Sequence, residues 1–122
     1  MALLSFSAAP AKGDSVSLTL DKATLFGLSP LIADAYWGDE GNVSRLLVHF
    51  TSGAGSQRKL LTFYIEDTTP QCSLHFSISA DDSFELSMIT LVDYDGGSLT
   101  LDRAALLSAI PTLSSMDIDL AL

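Results

Sequence analysis

Apolar and polar residues alternate along most of the chain. In Ser15-Val16-Ser17-Leu18-Thr19-Leu20, Val16, Leu18 and Leu20 fall on one face and small hydroxyl residues on the other. Ser44 to Thr51 turns Leu46, Val48 and Phe50 one way and Arg45, Leu47, His49 and Thr51 the other. Leu60 to Glu66 directs Leu61, Phe63 and Ile65 inward, and Cys72 to Ser79 sets Cys72, Leu74, Phe76 and Ile78 against Ser73, His75, Ser77 and Ser79. Phe84 to Val92 also alternates, but changes phase between Met88 and Ile89, as a bulge or a fully buried stretch does. A period of two with one polar face is the pattern of an antiparallel strand half covered by a core. Shorter strands are expected near the chain ends, at Leu3–Phe6 and Ser115–Leu120.

The joints between these runs are built from turn-forming residues. Ser52-Gly53-Ala54-Gly55-Ser56, Ala80-Asp81-Asp82-Ser83 and Asp93-Tyr94-Asp95-Gly96-Gly97 are short enough to close hairpins or adjacent strands. Thr68-Thr69-Pro70 interrupts pairing because proline carries no N–H, and Trp37 to Asn42 has the most loop-like composition. The fold expected is all-β, one domain over residues 1–122. It is an antiparallel β-sandwich (jelly-roll-like) or a barrel, with two short helical corners.

The corners come from an internal echo. Ser17 to Pro30 and Ser98 to Pro111 share eight of fourteen aligned residues, including Ser-Leu-Thr-Leu-Asp at the start, and Lys22 is matched by Arg103. In each copy an alternating strand ends at an aspartate, Asp21 or Asp102, whose carboxylate can accept from a free N–H of a following helical turn. Pro30 and Pro111 are placed to end those turns. The echo fits either a strand-to-helix corner used twice or a duplication that leaves pseudo-symmetric corners.

Composition adds a tension. Of 122 residues, 48% are hydrophobic and only 17% charged, against about 25% charged in an average soluble protein. A domain of this size hides only about two-thirds of the surface of its unfolded chain, so apolar area is left for something else to cover. A subunit interface, typically about 800 Å² per partner, is the natural cover. With 6 Lys+Arg against 15 Asp+Glu, the formal charge of −9 disfavours nucleic acid and anionic lipid as partners. The single cysteine, Cys72, makes no intramolecular disulfide. The N-terminal Met1 to Ala9 lacks the charged region of a secretion signal, so cytoplasmic synthesis is expected.

No catalytic constellation is assembled by spacing. There is no Gly-x-Ser-x-Gly elbow, and His49 and His75 fall on polar strand faces. Cys72 and His75, three apart on a strand, point to opposite faces and do not form a zinc pair. Asp93-Tyr94-Asp95-Gly96 resembles the opening of an acidic calcium loop, but the twelfth position is Ala104 where a bidentate glutamate belongs. The same residues suit a tight turn, and a partial calcium site would need Asp93 and Asp95 with a distant carboxylate such as Asp39 or Glu40. No cofactor motif is present.

The function expected is therefore non-enzymatic: a structural or assembly protein acting through protein–protein contacts, self-association among them. Leu47, Tyr64 and Trp37 are its candidate interface residues. By class-level analogy alone, small all-β chains of this kind recur among bacteriophage virion parts such as capsid decoration proteins and tail or fibre adaptors. The alternative is a carbohydrate-binding β-sandwich module that stacks sugars on Tyr36, Trp37 and Tyr94, with Tyr64 a further aromatic.

Overall fold

The alternating runs become strands. The computed structural model describes residues 3–28, 32, 37, 40–53 and 55–120. In chain order it contains β1 (Leu4–Phe6), β2 (Ser15–Leu20), α1 (Lys22–Phe26), β3 (Val43–Ser52), β4 (Arg58–Tyr64), β5 (Gln71–His75), β6 (Ser83–Asp93), β7 (Ser98–Asp102), α2 (Arg103–Ala109) and β8 (Ile118–Asp119). All pairings are antiparallel. One sheet has the order β1-β2-β5; the other has the order β4-β3-β6-β7, with β8 beside β6. The two sheets pack together as a sandwich-like all-β fold.

The core is what the period of two demands. Val16, Leu18, Leu20 and Leu74 come from the three-stranded sheet, and Leu46, Val48, Phe50, Leu61, Phe63, Leu86, Ile89 and Leu91 from the five-stranded one; all are buried. Phe76, just past β5, meets Phe84 of β6 with ring centroids 5.8 Å apart and planes tilted by 42°. Each such ring contributes about 1.5–3 kcal/mol by leaving water.

Both helical corners form as the echo implies. Asp21 caps α1, its carboxylate accepting from the Ala23 N–H at 3.2 Å and the Thr24 hydroxyl at 2.8 Å; Asp102 caps α2 by accepting from the Ala105 N–H at 2.9 Å. The matched cations share a role as well. Lys22 donates to the Ile65 carbonyl (3.0 Å) and pairs with Glu40, while Arg103 donates to the Leu86 carbonyl (2.6 Å) and pairs with Asp117. Each corner is thus an aspartate cap followed by a cation that folds back onto a carbonyl of the opposing chain. Pro111 follows the α2 C-cap Ile110; α1 ends at Gly27, and Pro30 lies outside the described residues.

The structure corrects the expected strands in places. β5 stops at His75, because Ala80 N–H bonds the Ser77 carbonyl and turns the chain out of the sheet. Ile78 therefore does not join the core but is 82% exposed, and Cys72 is only partly buried. The phase change in β6 falls earlier than expected: His49 pairs with Met88 and Phe50 with Leu86, which leaves Ser87 as the extra, bulged residue. The last strand shrinks to Ile118–Asp119, since Leu113–Met116 forms a 3-10 turn that buries Leu113 and Met116.

Candidate functional site

One face of the five-stranded sheet covers the core, and the register fixes what the other face displays. Cross-strand partners share a face, so successive rows across β4, β3, β6 and β7 read Tyr64, Arg45, Val92, Ser98; then Thr62, Leu47, Thr90, Thr100; then Leu60, His49, Met88, Asp102. Leu60 is 57% and Tyr64 53% exposed, and Leu47, Met88 and Val92 are half-buried beside them. Thr90 and Thr100 join hydroxyls at 3.1 Å. The Ser87 bulge opens a groove of about 450 Å³ between His49, Thr51, Arg58, Leu60 and Met88. Its floor is fixed by the Ser87 hydroxyl, which donates to the His49 carbonyl (3.0 Å) and accepts from Thr51 (3.2 Å).

The same face carries Arg45 and Arg58, with Glu85 in the row of Arg58 and Thr51 and Asp102 in the row of His49. Lys12 pairs with Asp82 at 2.6 Å, Lys22 with Glu40 and Arg103 with Asp117. Lys59 is held on the β5 side, donating to the His75 carbonyl at 3.4 Å and lying 5.9 Å from the Phe76 ring centre. Arg45 and Arg58 have no ion pair among the described residues, and both belong to this open face. Partial burial, aided by the Arg58 charge, pushes His49 below the ordinary histidine range. The folded state thus holds His49 neutral where the unfolded chain would take up a proton. Stability should therefore rise with pH from the lowered His49 value up to the ordinary histidine range, and fall on acidification through the same window. Urea titrations from pH 5 to pH 8 should show this slope, flattened in His49→Gln; an unchanged slope in that variant would assign it to other groups.

Of the residues singled out from sequence, Leu47 and Tyr64 lie together on the open face. Trp37 does not join them: it is half-buried and packs against the core, because an indole of that size is drawn to apolar contact. Tyr36 and Asp39 lie outside the described residues. Tyr94 is 63% exposed at the β6–β7 turn. Asp93 is buried in that turn, its carboxylate accepting from the N–H groups of Asp95 (2.8 Å) and Gly97 (2.7 Å). This explains the glycines there: Gly96 has φ +90°, and a Cβ on Gly97 would come within 2.7 Å of the Asp93 carboxylate. Asp93 and Asp95 are thus tied together as a turn, while Glu40 is engaged by Lys22. Among the described residues no group of three or more His, Cys, Asp or Glu gathers at metal-binding distance. His75 bonds Ser15 at 3.1 Å on the other sheet, far in sequence and strand order from His49.

Sequence reading missed Arg58 and Leu60. The signal was present, since both share parity with Tyr64 and oppose Leu61 and Phe63, but Leu60 hides within the apolar pair Leu60-Leu61.

No protein-family model matches the sequence, and no curated protein does. Among solved structures, Cwp6 from Clostridium difficile is similar, with a TM-score of 0.63 at 10% sequence identity over 99% of this chain. The match covers 17% of that chain, so this protein spans about a sixth of its length. No helix among the described residues is long and apolar enough to cross a membrane. At that identity the likeness is one of fold alone, over the matched part of that chain.

Proposed function

We propose that this chain is a non-enzymatic assembly protein that works through protein–protein contacts, self-association first, made by the open side of its five-stranded sheet. The observation that supports the reading is the exposure of Leu60 and Tyr64 next to Leu47, Met88 and Val92, on a face that no described element covers. Contiguous exposed apolar area with arginine and tyrosine at its margin has the composition of an interface. The setting proposed is a repetitive particle, a bacteriophage virion by class-level analogy alone.

Sedimentation velocity over a wide concentration range tests it. The wild type should associate, and Tyr64→Asp should weaken association at least about tenfold while leaving the unfolding free energy within about 0.5 kcal/mol. Unchanged association in Tyr64→Asp, or none in the wild type, contradicts the proposal.

A further inference from the structure

We infer that β4 pairs edge to edge with β4 of a second copy, antiparallel about a two-fold axis at Thr62, so that the five-stranded sheets of the two copies run on as one. The inference rests on the assembly reading above and specifies its geometry.

The argument starts from the backbone. At one end of the β3–β4 ladder the Ser52 N–H bonds the Gln57 carbonyl (2.9 Å), and at the other the Ile65 N–H bonds the Ser44 carbonyl (3.1 Å). Antiparallel pairs alternate between hydrogen-bonded and non-bonded. The register then makes Phe50–Lys59, Val48–Leu61 and Leu46–Phe63 the bonded pairs. The N–H and C=O groups of Arg58, Leu60, Thr62 and Tyr64 consequently face away from β3. β4 has no second strand neighbour, and among the described residues the backbone bond on that side is Asp67 N–H to the Tyr64 carbonyl, 3.2 Å. Free strand edges are usually blunted by shortness, proline, a bulge or a projecting lysine. β4 is seven residues long, without proline, glycine or a break in register with β3, and Lys59 is turned toward β5. The other edges are weaker templates because they are shorter: β1 has three residues, β7 and β5 five each.

The side chains of this edge say what fits it. Read outward, alternate residues are Arg58, Leu60, Thr62 and Tyr64, and the turn that follows carries the exposed Glu66. Cation, apolar, hydroxyl, aromatic, anion is a self-complementary order. An antiparallel copy centred on Thr62 sets Thr62 against Thr62 and Leu60 against Tyr64, and brings Arg58 toward the turn that carries Glu66. Neither Arg58 nor Glu66 has an ion pair within its own copy among the described residues, so each is left to pair across the contact. A two-fold contact of this kind is closed, with the same patch used by both subunits.

The test uses the full chain, uniformly 15N-labelled. In the wild type, amide exchange at Leu60 and Thr62 should slow by more than about tenfold between dilute and concentrated samples as the dimer forms. Thr62→Pro removes an N–H that β3 does not use, so it should fold yet lose dimerisation. Leu47→Asp, one strand in from the edge, should keep it. Should Thr62→Pro fail to fold, the wild-type exchange rates decide alone. An associating protein whose Leu60 and Thr62 amides are unaffected, or one dissociated by Leu47→Asp but not by Thr62→Pro, overturns edge pairing and leaves the assembly reading standing. A wild type monomeric throughout removes both. Dimer-independent protection induced by an added extended peptide would transfer the edge to a different partner and overturn the inference as stated.

Discussion

Truncating Phe84 to alanine is expected to lower the unfolding free energy by about 4 kcal/mol, in the range for removing a fully buried aromatic ring. Phe84 is wholly buried and stands where β6 receives Ser52 of β3 on one side and Ile118 of β8 on the other. Its ring meets Phe76, the residue that follows β5 of the opposite sheet, so one side chain ties three elements. Urea denaturation followed by the fluorescence of the single tryptophan measures the loss. Leu60→Ala, on the open face, should change stability by no more than about 0.5 kcal/mol. A Phe84→Ala loss below about 1.5 kcal/mol would mean that the sheets are held together elsewhere.

Replacing Arg103 with methionine should cost about 2 kcal/mol, an effect invisible to any count of core residues. β7 pairs with β6 as far as Asp102–Met88, and β8 resumes at Ile118–Phe84, so Leu86 between them has no strand partner on that edge. Two side chains stand in for the missing strand. The Arg103 guanidinium donates to the Leu86 carbonyl at 2.6 Å, and the Asp117 carboxylate accepts from the Leu86 N–H at 3.0 Å. They also bond each other through two N–H···O contacts of 3.2 Å. Both side chains keep about a quarter of their surface in water (24% and 23%), which is why the expected loss is smaller than the 3–5 kcal/mol typical of breaking a fully buried pair. Arg103→Lys should recover little, because an ammonium lacks the fork that serves carbonyl and carboxylate together. Asp117→Asn keeps an acceptor for Leu86 and should cost less than Arg103→Met. A double-mutant cycle reads the coupling directly, and additive losses would show that the two act separately.

Much of this architecture was legible in the residue pattern. Val16, Leu18 and Leu20, or Leu46, Val48 and Phe50, are placed by parity alone, since a half-covered strand leaves no other face for them. The corners were legible because Asp21 and Asp102 sit where a cap is needed. Parity fails where the backbone leaves the sheet. Ile78 keeps the rhythm of Leu74 and Phe76, yet the turn after Phe76 carries it into solvent. The β6 bulge shows in the sequence as a phase change at Met88–Ile89, later than the bulged Ser87, because half-buried Met88 resembles the core residue Leu86 in composition. Arg103 and Asp117 meet across fourteen positions, and only the retained charge at Lys22 and Arg103 hinted at a shared task. The open face is half visible in the sequence: Leu47 and Tyr64 lie on it, Trp37 packs half-buried against the core, and Arg58 and Leu60 are set there by the β3–β4 register.

We propose that the exposed side and edge of the five-stranded sheet meet other copies. Light scattering on the wild-type chain, from low micromolar to near-millimolar concentration, tests this most directly. The account predicts a molar mass that climbs from 13.0 kDa to twice that value as concentration rises. A mass fixed at 13.0 kDa across the whole range would contradict it.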